Sequence, residues 1–163
     1  MSVNLSVQQF SEFELVESVD AILAESGLSS HCLKLEITET AIISNFEQAR
    51  NLFCQLQARG IRLGIDDFGT GYSSLSYLHR FPIDTLKIDR SFVSLISEDQ
   101  RHFGIVRTIN DLAHHLNMTV IAEGIEHQDQ LDRLRQMGCT LGQGFYFCPP
   151  ADPRTLESIH LQG

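Results

Sequence analysis

Short apolar runs alternate along the chain with longer stretches of helical periodicity. Six runs have strand length and character, at residues 2–6, 33–37, 62–67, 85–89, 119–123 and roughly 141–147. Between them apolar residues recur at helix spacing. Phe13, Val16, Val19, Ile22 and Leu23 make one face, with Gly27 as a stop. Phe46, Ala49, Leu52, Phe53 and Leu56 repeat the pattern before Gly60. Ile105, Ile109, Leu112, Ala113 and Leu116 make a third face, and Leu131, Leu134 and Met137 a fourth before Gly138. Repeated βα alternation predicts an α/β fold with a parallel sheet, doubly wound or closed as a barrel. A complete eight-unit barrel takes roughly 250 residues, about 30 per unit. The 163 residues hold six strands at the same unit size. The expectation is therefore an incomplete TIM-type (β/α) barrel, about six of eight units with the N-terminal two absent. The doubly wound alternative usually carries a glycine-rich phosphate loop after its first strand, and Val7-Gln8-Gln9-Phe10 has no glycine.

Polar residues interrupt the strands at regular places. Asn4 lies between Val3 and Leu5, Glu36 between Leu35 and Ile37, and Lys87 between Leu86 and Ile88 with Asp89 two residues on. Asp66 follows Ile65, and Glu123 follows Ala122. At the strand period of two, each faces away from its apolar neighbours. Each also falls near its strand's C-terminal end, where barrel active sites are built. Glu36, Asp66, Asp67 and Glu123 in one mouth would repel each other, and one or two divalent cations would relieve that repulsion. Carboxylate and amide oxygens suit Mg²⁺ or Mn²⁺ rather than zinc. Paired ions of this kind activate water and stabilise in-line displacement at phosphorus. Singly, each residue has a plainer reading: Asn4 as a strand-end turn, Glu36 as the partner of a barrel lysine, and Lys87 as the partner of Asp89. Asp66-Asp67 before Phe68-Gly69-Thr70-Gly71 could be a turn and helix cap. The convergence of five strands favours the site.

Composition adds limits. With 42% hydrophobic and 20% charged residues, one globular domain over residues 1–163 is expected. The apolar stretches are short, so no transmembrane helix is expected, and no signal peptide is visible ahead of the first strand. Cys32, Cys54, Cys139 and Cys148 form no CxxC pair. That argues against a zinc site or disulfide framework and for a reducing cytoplasm. They are expected as small core residues, and His114, His115 and His127 as solvated surface. The net charge of −9, without a basic cluster, argues against a nucleic-acid polymer as partner. A small phosphate ligand held through metal ions stays compatible with it.

Seven segments carry a family resemblance. They are Ser2-Val3-Asn4-Leu5-Ser6, Leu35-Glu36-Ile37-Thr38-Glu39, Asp66-Asp67-Phe68-Gly69-Thr70-Gly71-Tyr72-Ser73-Ser74-Leu75, Pro82-Ile83-Asp84, Leu86-Lys87-Ile88-Asp89-Arg90-Ser91-Phe92, Ile121-Ala122-Glu123-Gly124-Ile125-Glu126 and Gln143-Gly144-Phe145. In this order the chain resembles the EAL domain, the bacterial family of cyclic-di-GMP-specific phosphodiesterases. The resemblance implies a metal-dependent hydrolase that opens cyclic di-GMP to linear pGpG; the unpaired edges at 2–6 and 141–147 of an incomplete barrel add the expectation of a homodimer or other self-association. It implies a metal shell of Asn4, Glu36, Asp66, Asp67 and Glu123 around Mg²⁺ or Mn²⁺, two ions in the complete domain. Lys87 would orient the attacking water and offset phosphate charge, with Glu123 and Gln143 as further catalytic contacts. Asp89 and Glu126 would support the metal side, and Glu39 would anchor the loop 67–74, which serves dimerisation and metal binding. Gly69, Thr70, Gln143 and Pro150 would touch substrate.

Departures from the family pattern set a second expectation. The Glu-Ala-Leu motif, whose glutamate is a metal ligand in the family, is absent, and Glu12, Glu14 and Glu17 lie on the first helix rather than at a strand end. Phe145 in place of the commoner tyrosine and the Cys148-Pro149-Pro150 stretch are minor changes. The chain reads as an N-terminally truncated EAL-type domain with reduced activity of its own. The alternative is a degenerate module that binds cyclic di-GMP or a protein partner without turnover. An enolase-like metal-dependent barrel is a third reading, and the match over residues 67–75 opposes it.

Overall fold

The computed structural model describes residues 1–10, 14–44, 46–70, 78–152 and 155. Six parallel strands run in sequence order: β1 (Ser2–Leu5), β2 (Lys34–Thr38), β3 (Arg62–Phe68), β4 (Thr85–Ile88), β5 (Thr119–Ala122) and β6 (Leu141–Gly142). Every neighbouring pair is parallel. Strictly sequential order is that of the (β/α) barrel; a doubly wound sheet would reverse direction at a switch point. Among the described residues β1 and β6 are the edges of the sheet.

The helices between the strands follow their apolar faces. α1 (Val7–Phe10) is a single turn, and α2 (Leu15–Ser26) buries Leu15, Val16 and Val19. α2 ends at Gly27, whose left-handed φ of 68° lets its N–H reach Leu23 O. α4 (Phe46–Ala58) buries Ala49, Leu52, Phe53 and Leu56, the face read from the sequence. Phe53 meets Phe81 edge-on with ring centres 5.3 Å apart, a contact that adds about 0.5–1.5 kcal/mol to the burial itself. α6 (Gln100–His115) and α7 (Gln128–Gln136) complete the longer set. The face of α6 is turned relative to expectation: Val106 is buried and Ile105 is 42% exposed. On α2, Ile22 likewise points outward, 63% exposed. Phe13 lies outside the described residues.

Three further expectations are corrected. The sixth strand is two residues long, because the chain turns at Gly144, where Phe147 N and Cys148 N both bond Gly144 O. Gly144 is pressed so close to Ile125 that a Cβ there would overlap its backbone. Two short helices, α3 (Glu39–Ser44) and α5 (Arg90–Ser94), follow β2 and β4 directly and were not foreseen. Of the cysteines only Cys139 is buried; Cys32 and Cys54 are exposed and Cys148 is half-buried. No helix among the described residues is long and apolar enough to cross a membrane.

Candidate active site

The site grows from the register of the strands. Asn4 stands opposite Glu36, Glu36 opposite Gly64, Thr38 opposite Asp66, and Lys87 opposite Ile121. Between Ile65 and Phe68 the β3–β4 register shifts, and Asp67 takes a left-handed φ of 52°. A regular strand would send Asp66 and Asp67 to opposite faces. The irregularity lets both serve the same end of the sheet, at the expense of a backbone region that non-glycine residues seldom adopt.

Lys87 is buried in the middle of this arrangement. Its Nζ lies 2.9 Å from Glu36 Oε2, 3.0 Å from Asp66 Oδ1 and 2.6 Å from Glu123 Oε1. The three carboxylates come from β2, β3 and the residue after β5. Burial opposes the charge on Lys87, but hydrogen bonds to Glu123, Glu36 and Asp66 outweigh it and hold the ammonium above its ordinary range. Glu123 is shifted upward, first by burial and further by Asp66 and Asp67, with Lys87 pulling the other way. Asp67 is shifted upward by burial, then by the charges of Asp66 and Asp89 and a hydrogen bond shared with Asp89.

Oxygens of Asp66, Asp67 and Glu123 come within 4.8 Å of one another. Four carboxylates, Glu36 included, face one ammonium, so negative charge remains uncompensated. The donors are hard oxygens from rigid strand ends, which fits Mg²⁺ or Mn²⁺. Asn4 is exposed, and among the described residues no hydrogen bond joins its side chain to this cluster.

Other expected residues are placed around the cluster. Gln143 Nε2 donates to Glu123 Oε1 at 2.5 Å, the same oxygen that faces Lys87. Its backbone is pinned from both sides, Gln143 N to Ala122 O and Ile125 N to Gln143 O. Glu39, 1% exposed at the start of α3, accepts a hydrogen bond from Gly69 N at 3.1 Å. Thr70 Oγ1 donates to Asp67 O, closing the turn after β3. Asp89 caps α5 by accepting from Ser91 N. Residues 71–75 of the quoted segment lie outside the described residues.

Beside the cluster opens a cavity of about 640 Å³, bordered by Asp67, Asp89, Glu123 and Glu126 and roofed by Gln143, Phe145 and Pro150. Gly69 and Thr70 lie outside its lining. Arg90, a charged residue given no role in the sequence reading, also lines the cavity. Arg90 had a readable signal, since it directly follows the strand that carries Lys87 and Asp89.

The family model for the EAL domain matches residues 1–150. The cyclic di-GMP phosphodiesterase NbdA of Pseudomonas aeruginosa is 42% identical over 159 residues, 98% of this chain and 20% of that protein. The bifunctional diguanylate cyclase/cyclic di-GMP phosphodiesterase MucR of the same organism is 41% identical over 150 residues, 92% of this chain and 22% of that protein. Among solved structures, the PaMucR phosphodiesterase in complex with c-di-GMP superposes with a TM-score of 0.92 at 40% identity, covering 95% of this chain and 63% of that one. The EAL domain of Mycobacterium smegmatis DcpA gives 0.92 at 37% identity, covering 99% and 73%. A manganese/cy-diGMP complex of Klebsiella pneumoniae BlrP1 gives 0.83 at 34% identity, covering 89% and 37%. The chain spans about a fifth of the length of the curated relatives it matches.

Proposed function

Since the chain belongs to the EAL domain family, we propose that it hydrolyses cyclic di-GMP to linear pGpG in a metal-dependent reaction at the C-terminal ends of its strands. The observation that carries this reading is the placement of the Lys87 ammonium among carboxylates from three separate strands, beside a cavity of nucleotide size.

Asp66, Asp67 and Glu123, with Glu36 and Asn4, would hold Mg²⁺ or Mn²⁺, two ions in the complete domain. When bound, such ions lower the pKa of water and stabilise negative charge at phosphorus. The chain's own groups divide the remaining work. Lys87 keeps its proton, so it serves as a donor and counter-charge rather than a base. It orients the attacking water and offsets the charge of the phosphate. Glu123 has one oxygen held by Lys87 and Gln143, which fixes its carboxylate beside the position of the attacking water, where it accepts the water's proton. A bond forms from water oxygen to phosphorus, one phosphorus–ribose bond breaks, and the departing ribose oxygen takes up a proton. Glu39 holds the turn of Gly69 and Thr70 that presents Asp67, Asp89 and Glu126 support the acidic wall, and Gln143 and Pro150 contact the substrate.

We take residues 1–163 as one domain that works in the cytoplasm and self-associates. A second reading is favoured by one fact: the 163 residues contain no Glu-Ala-Leu sequence. On that reading the chain binds cyclic di-GMP without cutting it. Incubation with cyclic di-GMP and Mn²⁺, followed by chromatography, separates the two. Accumulation of pGpG that disappears in Asp66→Asn supports the enzyme. Calorimetric binding without product supports the module, and neither binding nor product removes both.

A further inference from the structure

Arg90 differs from every other charged residue on the cavity wall. Asp67, Asp89, Glu123 and Glu126 are acidic, and the second cation of the site, Lys87, is committed to three carboxylates. Arg90 is exposed and makes no ion pair with any described residue. Its stem is nevertheless fixed. Gly124, at a left-handed φ of 70°, approaches so closely that a Cβ there would overlap Arg90 Cβ and lie 3.3 Å from its Cα. The turn after β5 and the start of α5 are thus packed backbone against stem, and Arg90 lines the cavity. A wall this acidic would repel a nucleotide's phosphate away from the metal positions. A planar group with hydrogen-bond acceptors along one edge would be attracted by Arg90.

We propose that Arg90 reads the guanine base of the substrate, donating its paired N–H groups to O6 and N7. The assignment rests on the reading of the site as a cyclic di-GMP site. Guanidinium geometry matches these two acceptors bidentately, whereas adenine presents an N6 amino donor where guanine has O6. Two neighbours fit the same occupant. The ring of Phe145, 64% exposed, offers a flat apolar surface of the kind on which bases stack. The Glu126 carboxylate is an acceptor of the kind that the guanine N1–H and N2 amino groups seek. Pro149 and Pro150 supply the apolar remainder of the wall.

The test compares cyclic di-GMP with cyclic di-AMP by calorimetry on the full chain in Ca²⁺, for wild type, Arg90→Ala and Arg90→Lys. A good bidentate base contact corresponds to about a tenfold to hundredfold preference. Arg90→Ala is expected to weaken cyclic di-GMP binding by that factor and leave cyclic di-AMP unchanged or improved. Arg90→Lys keeps the charge but not the fork, and is expected to lose most of the preference too. A thermal melt equal to wild type for Arg90→Lys guards against a folding effect. Equal losses for both nucleotides, or full rescue by lysine, would mean that Arg90 meets a phosphate, and the assignment falls. No loss in either variant also overturns it. Wild-type protein that binds neither nucleotide overturns the functional reading itself and this assignment with it. Wild-type protein that binds both alike overturns the assignment alone.

Discussion

The Lys87 ammonium stands 2.6–3.0 Å from three carboxylates that would otherwise face only one another. Removing one member of a buried ion pair costs about 3–5 kcal/mol, because the other is left buried and uncompensated. Asp66 and Glu123 keep 13% and 14% of their side-chain exposure, so the lower end of that range applies. Lys87→Met should therefore lower the melting temperature of the metal-free protein, and Mn²⁺ should restore part of the loss by taking over the counter-charge. It should also reduce kcat more than it raises KM. Melts with and without Mn²⁺, with steady-state kinetics, check both halves; an unchanged metal-free melt would remove the charge-balance account. Strand alternation made Lys87 legible as an inward-facing residue. Of its partners, Glu36 was legible as the partner of a barrel lysine; Asp66 and Glu123 were not, since spacing along one strand points to Asp89. Asp67 was legible as a member of the acidic mouth, but its backbone was not, since its positive φ is a tertiary outcome with no local glycine to announce it.

Among the elements, the turn after β3 is held from β2's end. Glu39 reaches across from α3 to Gly69 N, and a Cβ at Gly69 would stand 2.8 Å from the Phe92 ring. Losing the acceptor leaves a backbone donor unpaired at about 1–3 kcal/mol and frees the segment that aims Asp67. Glu39→Ala should weaken Mn²⁺ binding and lower kcat while leaving KM for cyclic di-GMP close to wild type. Glu39→Gln, which keeps an amide oxygen, should recover much of both. Calorimetry with Mn²⁺ decides it, and equal affinity in Glu39→Ala would count against the anchor. α6 is capped by Asp99, which accepts from Arg101 N at 2.8 Å. That backbone hydrogen bond, with help from His102, holds the Asp99 carboxyl below its ordinary value of 3.8. A depressed folded pKa gives stability that is present above 3.8 and lost as pH falls through the folded value. Asp99→Asn keeps an N-cap acceptor without the titration. Its melting temperature should thus fall less steeply than wild type as the pH is lowered below 3.8. Parallel acid limbs would refute this. The longer helices could be read from sequence because about two and a half turns or more give a period to follow. α3 and α5, of six and five residues, have too few turns. β6 ended early because the close approach of Gly144 to Ile125 belongs to packing.

At the scale of the whole molecule, the sheet presents β1 and β6 as edges among the described residues, with exposed apolar side chains at both. Val3 is 38% exposed on β1, and Leu141 is 46% exposed on β6 with Phe147 53% exposed just beyond it. A groove of about 380 Å³ runs beside β6 between Ile125, Leu131, Leu134, Leu141 and Phe147. Parallel edges with apolar flanks invite pairing with another chain. The chain should therefore self-associate, and light scattering over a dilution series should show masses above one chain that fall on dilution. Leu141→Lys should shift the series toward the monomer by charging the edge. One chain's mass at every concentration would mean that the edges are covered in another way. The same edges connect association to chemistry. An extension ahead of Met1 that supplies a strand carrying Glu-Ala-Leu would both cover the β1 edge and add a carboxylate to the metal shell. Misplacement of reacting groups by about 1 Å can cost a hundredfold in rate. The extended chain should therefore gain turnover on cyclic di-GMP by about that factor and lose its self-association through β1. Changing the added glutamate to glutamine should abolish the gain in turnover while leaving the mass unchanged. If the extended and bare chains turn over substrate equally, then Glu36, Asp66, Asp67 and Glu123 suffice for the metal shell, and the added ligand has no part in it.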